Sequence, residues 1–321
     1  MVFESVVKQS VFGLILGLLS SSVLACSSQA ENGDYSKLAS ERAFSTQIST
    51  SPDSARKDQQ SYRFIAFGDW GAGTAFQKAV AKQAYLQYQR APFDCVLMLG
   101  DNIYEKGDVN TLGKAYFTDT YAPLISQGVH FIVALGNHDV IGGFKADQLR
   151  FFKMPGEYYK IHKPLVDFFV LETNFYAGDK IQQQWLAYAL KNSHAPWKIV
   201  MGHQPIYSSG WEGGSPRFEK TLQPLLERYH VQLYLAGHDH DYEHLKAING
   251  VQYIVSGGGG AYLRNKKNNI PQSLLFIKKH HFLSFQLTAQ TLSMDVIDSQ
   301  GEKIDHLDIQ NPLFAGNRLT Q

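Results

Sequence analysis

The chain has 321 residues, 44% of them hydrophobic, which is ample for a sizeable core in one large domain or two small ones and excludes disorder of the whole chain. Its 30 basic and 29 acidic side chains leave a formal charge of +1, so no field gathers nucleic acid or an acidic membrane surface. With only two cysteines there is no disulfide framework.

In chain order, the first element is a leader. Lys8 is followed by an apolar run from Val11 to Leu19 and then by Ser20-Ser21-Ser22-Val23-Leu24-Ala25-Cys26. The run is too short to span a bilayer and reads as a signal peptide over residues 1–25. Val23-Leu24-Ala25-Cys26 resembles a bacterial lipobox, which implies cleavage before Cys26 and a lipid on its sulfur. Ordinary secretion with cleavage near Ala25 is the alternative. Either way the protein is exported; with the lipid it is a membrane-anchored lipoprotein facing the periplasm or cell surface of a bacterium. Residues 26–60, rich in Ser, Gln, Asp and Lys, read as a flexible tether.

From residue 61 one pattern recurs: an apolar run, a Gly, then a residue able to bind a metal. Phe64-Ile65-Ala66-Phe67 leads to Gly68-Asp69, and Val96-Leu97-Met98-Leu99 to Gly100-Asp101-Asn102-Ile103-Tyr104. Phe131 to Leu135 leads to Gly136-Asn137-His138-Asp139, Ile199 to Met201 to Gly202-His203, and Leu233 to Ala236 to Gly237-His238-Asp239-His240. Such runs predict buried strands. Helices are predicted between them over Ala75 to Arg90, Gln182 to Lys191 and Phe218 to Tyr229. The alternation implies an α/β fold with its polar residues at the carboxyl ends of strands. A single Asp there is an ordinary turn residue, but His is not, and five such strand ends together indicate a metal site.

The donors are Asp69, Asp101, Tyr104, Asn137, His203, His238 and His240. Mixed oxygen and imidazole ligands without thiolate exclude an iron–sulfur cluster and suit zinc, manganese or iron. Seven donors are too many for one catalytic ion with an open position, but they serve two ions if one carboxylate bridges. Cys95, inside an apolar run, reads as a small buried hydrophobe.

In order and composition these motifs resemble those of the calcineurin-like metallophosphoesterases. Tyr104, three places after Asp101, makes the chain similar to the purple acid phosphatases, in particular the small tartrate-resistant type. The resemblance implies a four-layer sandwich of two mixed β-sheets flanked by helices, over a catalytic domain of residues 61–311 with a tail at 312–321. It implies that Asp69, Asp101, Tyr104 and His240 hold one ion and that Asp101, Asn137, His203 and His238 hold the other. Two carboxylates and a phenolate suit Fe(III) at the first position; the second suits Fe(II), Zn or Mn. The implied reaction is hydrolysis of phosphate monoesters by in-line attack of metal-bound hydroxide, with a phosphodiesterase, a nucleotidase or a non-catalytic surface-binding lipoprotein as alternatives. His138 is expected to face the substrate and either donate a proton to the leaving alkoxide or stabilise the transferring group; Asn102 is a further expected substrate contact, and Asp139 is placed to orient His138. Beyond a small phosphorylated substrate and the lipid-anchored membrane, no partner is expected, and the protein is read as a monomer.

One departure stands out. The small acid phosphatases carry a further His shortly after the Gly-His-x-Pro motif, whereas here Gln204 to Gly214 contains none, and Trp211 and Glu212 occupy the segment. Gly257 to Gly260 reads as a tight turn, because no Lys-Ser or Lys-Thr follows it. His244, His280 and His281 read as surface or packing residues. Alternation over Phe282 to Leu287 and Leu292 to Ile297 predicts a closing hairpin.

Overall fold

The apolar runs fold as strands because each has two faces to bury. In the computed structural model, which describes residues 61–314, the strands are β1 (Tyr62–Phe67), β2 (Cys95–Met98), β3 (His130–Val133), β4 (Tyr159–Lys163), β5 (Val166–Val170), β6 (Trp197–Met201) and β7 (Leu233–Ala236). They continue as β8 (Tyr242–Leu245), β9 (Gln252–Ser256), β10 (Ser273–Ile277), β11 (His281–Leu287), β12 (Thr291–Asp298) and β13 (Lys303–Gln310). The leader, Cys26, the tether to residue 60 and most of the tail lie outside the described residues.

Two mixed sheets result, in the orders β13-β12-β11-β1-β2-β3 and β10-β8-β9-β7-β6-β5-β4. In the first, β1, β2 and β3 are parallel, and β11, β12 and β13 continue the sheet antiparallel. In the second, β5, β6, β7 and β9 are parallel, and β4, β8 and β10 are antiparallel. The sheets pack face to face, with Phe64 of β1 stacked on Phe285 of β11 and meeting Phe168 of β5 edge-on at 5.1 Å.

Alternation along the second sheet divides its side chains between two cores. Phe168, Ile199, Leu235 and Ile254 point between the sheets. Phe169, Val200, Tyr234 and Tyr253 point outward, where Leu186, Leu190, Phe218 and Leu226 from the flanking helices cover them. Both faces being buried, the strands read as continuous apolar runs.

The helix predicted over Ala75 to Arg90 forms with those bounds, its first turn capped by Thr74 Oγ1, which accepts Gln77 N–H at 3.1 Å. The helix predicted from Gln182 starts at Lys180, after the cap residue Asp179. That predicted over Phe218 to Tyr229 is two short helices, Pro216–Thr221 and Gln223–Arg228. Pro224 lacks the N–H a continuous helix would need there. The closing hairpin is β11 and β12. Cys95 is fully buried, and burial pushes its thiol up to about 12, which makes it inert packing. Gly257 to Gly260 packs against the turn after β1, where Gly259 N–H donates to Gly68 O at 2.9 Å. Topology thus brings the carboxyl ends of β1, β2 and β3 of one sheet and of β6 and β7 of the other to a common edge.

Candidate metal centre

At that edge the Gly-plus-donor pattern acquires a steric cause. Asp69, Asp101 and His238 have φ of 56°, 52° and 73°, left-handed values that non-glycine residues seldom adopt and that here throw the donor side chains off the strand ends toward one point. The preceding glycines leave room for donors from other strands. A Cβ on Gly136 would lie 2.0 Å from Asp101 Oδ1, and one on Gly237 would lie 2.5 Å from Asp69 Oδ2. Each turn is therefore cut to fit the carboxylate of another.

The seven predicted donors converge in two groups. In the first, Tyr104 Oη lies 3.1 Å from Asp69 Oδ1, 2.9 Å from Asp101 Oδ2 and 3.1 Å from His240 Nε2. Ligand atoms of Asp69, Asp101 and His240 all fall within 4.8 Å of one another, close enough for one ion. In the second, His203 Nε2 lies 3.0 Å from Asn137 Oδ1, 3.2 Å from His238 Nδ1 and 3.4 Å from Asp101 Oδ1. One oxygen of Asp101 faces each group.

Backbone carbonyls choose the tautomers. His203 Nδ1 is 3.0 Å from Leu99 O and His240 Nδ1 is 2.8 Å from Tyr262 O. With a proton kept on Nδ1, each ring turns Nε2 to its group, free to bind a cation once that nitrogen gives up its own proton. Thr173 Oγ1 accepts the backbone N–H of His203 and of Gln204 at 3.1 and 3.0 Å, fixing the loop after β6. Neither carbonyl nor Thr173 has a readable mark in the sequence.

Charges in the centre are strongly coupled. Burial alone would raise the Asp101 carboxyl, but His203 and His138 outweigh it and hold it well below the carboxylate range. His203 is the counterpart: burial disfavours its cation, and the Asp101 and Asp69 charges outweigh burial and lift it to about 10. Burial, followed by the Asp69 and Asp101 charges, pushes the Tyr104 phenol well above its usual value, so a phenolate there requires a cation. Burial and His203 lower His238.

His138 sits at the open side of this cluster, with its side chain 30% exposed. Its Nδ1 is 2.6 Å from Glu105 O, its ring packs 4.5 Å from that of Tyr104, and its Nε2 reaches to 4.0 Å from Asp101 Oδ2.

Two expectations need correction. Asn102 is not a substrate contact: it is fully buried, accepts from Trp70 Nε1 at 3.1 Å and donates to Ala134 O and Asp139 Oδ2. Asp139 does not orient His138, whose ring is held by the Glu105 carbonyl. Its carboxylate instead takes N–H groups of Asn102, Ile103, Gly136 and Gln148. Burial and the Asp101 charge push it up to about 6 despite these donors.

In the segment without the expected His, Asp239, set between two donor histidines, accepts Glu212 N–H at 2.7 Å and Gly213 N–H at 3.0 Å. Glu212 is paired with Arg264, whose own N–H donates to His240 O. The Glu212 carboxylate is thus held by Arg264, while His138 stands at the open side of the donor cluster. His244 pairs with Asp305 at 2.9 Å and His280 stacks on Phe76, both apart from the donors, and His281 is buried against Ser256.

The sequence model described as calcineurin-like phosphoesterase matches residues 62–242. Human tartrate-resistant acid phosphatase type 5 is 27% identical over 290 residues, covering 75% of this chain and 89% of the relative. Among solved structures, the Plasmodium protein described as GAP50, the anchor in the inner membrane complex, superposes with a TM-score of 0.69 at 26% identity over 79% of this chain and 90% of its own. Yellow lupin purple acid phosphatase PPD1 also gives 0.69, at 24% identity over 78% of this chain and 54% of its own, a likeness of fold.

Proposed function

Since the chain belongs to the calcineurin-like phosphoesterase family, we propose that it hydrolyses phosphate monoesters at a pair of metal ions held by the two donor groups around Asp101. The observation that carries this reading is the position of Asp101, with Oδ2 toward Tyr104 at 2.9 Å and Oδ1 toward His203 at 3.4 Å.

The donor set fits two ions. Asp69, Asp101, Tyr104 and His240 would hold the first, and their three formal negative charges favour Fe(III). Asp101, Asn137, His203 and His238 would hold the second, with neutral donors that favour divalent iron, zinc or manganese. When bound, such a pair neutralises charge on the phosphoryl oxygens and acidifies a water for attack at phosphorus.

The remaining steps belong to the protein. Leu99 O and Tyr262 O keep the His203 and His240 rings aimed inward. His138, with Nδ1–H donated to Glu105 O, presents Nε2 to the mouth of the site and, as imidazolium, hands its proton to the departing alkoxide. The likeness to a relative named as an acid phosphatase supports a monoester preference.

The same reading places the enzyme outside the cytoplasm, tethered through a lipid on Cys26 and acting as a monomer on small phosphorylated substrates. Cys26→Ser would then leave the membrane fraction.

Metal analysis of the purified protein together with turnover of a monoester, a diester and a nucleotide tests the proposal. About two ions per chain and fastest turnover of the monoester are expected; a single ion, or a diester hydrolysed faster, would overturn it. His138→Ala should lower turnover by about 100-fold with both ions retained.

A further inference from the structure

Beside the second donor group, at the carboxyl ends of β5 and β6, lies a cavity of about 350 Å³. Its walls include Thr173, Asn174, Phe175, Gln204, Arg217 and Phe218. It adjoins the centre through Thr173, whose hydroxyl bonds the backbone of the donor His203.

Both walls are built before any ligand arrives. The buried Glu172 carboxylate accepts the N–H of Asn174, its side-chain amide, and the N–H of Phe175. Gln182 holds Glu172 by both its N–H and its carbonyl, and Gln183 donates to Tyr176 O. Opposite, Ser215 N–H donates to Ile206 O at 2.9 Å where the helix carrying Arg217 begins.

Chemistry of the lining is uneven. It combines two phenyl rings and neutral amides and hydroxyls with one ionised group, Arg217, which has no ion-pair partner among the described residues. No carboxylate lines the cavity, and the nearby Glu172 is taken up by three N–H groups. The Asn174 side-chain oxygen is buried without a partner. An aromatic or apolar body with an anionic end matches such walls.

We propose that this cavity receives the leaving group of the ester, and that Arg217 selects leaving groups carrying a second anion, a carboxylate or a further phosphate. The inference rests on the phosphatase reading of the adjacent centre and names its substrate class.

Phenyl phosphate and 4-carboxyphenyl phosphate, compared at a pH where the carboxylate is ionised, test it. Wild-type enzyme should favour the carboxylated ester by about tenfold in kcat/KM, the scale of one charge-assisted hydrogen bond. Arg217→Gln should bring that ratio close to one through KM, while Arg217→Lys keeps part of the preference. Arg217 is exposed, so these variants should fold. Equal ratios in wild type and Arg217→Gln would overturn the pocket assignment and leave the phosphatase reading standing. Metal-loaded wild type that hydrolyses neither ester would overturn both.

Discussion

Asp139 accepts the backbone N–H of Asn102 at 2.9 Å from one carboxylate oxygen and 3.1 Å from the other, although 37 residues separate the two. The same carboxylate takes Ile103 N–H at 3.1 Å, Gly136 N–H at 2.7 Å and Gln148 Nε2 at 2.8 Å. It fastens the turn carrying Asp101 and Tyr104 to the turn carrying Asn137. Asp139→Ala would strand several buried donors at once and should cost about 3 kcal/mol or more. Urea unfolding and metal content should both fall; a variant with the wild-type midpoint would remove Asp139 from this role.

Asp101→Asn exchanges the shared carboxylate for a neutral amide of the same shape. Loss of charge between two cations should empty both positions and abolish turnover, whereas losing a donor private to one group should empty only that group. Metal counting by mass spectrometry separates the cases. Wild-type stoichiometry in Asp101→Asn would rule out the shared position.

Tyr104 lies against Asp69, Asp101 and His240, and a phenolate on ferric iron gives a visible charge-transfer band that carboxylates and imidazoles do not. The protein isolated with iron should be purple or pink. Tyr104→Phe should bleach it and weaken the first ion while keeping the fold, since the ring that packs on His138 remains. Colourless iron-replete wild type, or colour that survives the substitution, would show that Tyr104 does not bind Fe(III).

His281 supplies a pH-dependent contribution to stability. Burial lowers its pKa from 6.5 to about 4, and its neutral ring lies between Ser256 Oγ at 2.9 Å and Lys279 O at 2.9 Å. As pH falls below 6.5 the unfolded chain takes up a proton that the folded ring refuses. Stability therefore declines down to about pH 4, by about 3 kcal/mol from this one group. His281→Gln cannot titrate and should flatten that part of the decline, measured by urea unfolding with chelator at pH 7 and pH 4.5. An unchanged slope would mean His281 does not remain neutral in the fold.

Much of this molecule is written locally. An apolar run, a glycine and a metal donor lie within a few residues of one another, so strand, turn and ligand can be read together, as can the helix from Ala75 to Arg90 with its Thr74 cap. The α/β class and the seven converging donors follow from that short-range record. Other features depend on partners far along the chain. Asn102 sits in the same motif as Asp101 and Tyr104, yet its side chain faces inward to Trp70, Ala134 and Asp139. Asp139 follows His138 directly but turns away from it to hold the Asn102 turn. The cavity between Thr173 and Arg217 draws its walls from the segments that follow β5 and β6, strands that lie side by side in the sheet. Sequence records which groups can bind a metal or donate a proton; only packing of the two sheets fixes which neighbours satisfy each group, because hydrogen-bond partners depend on distance in space.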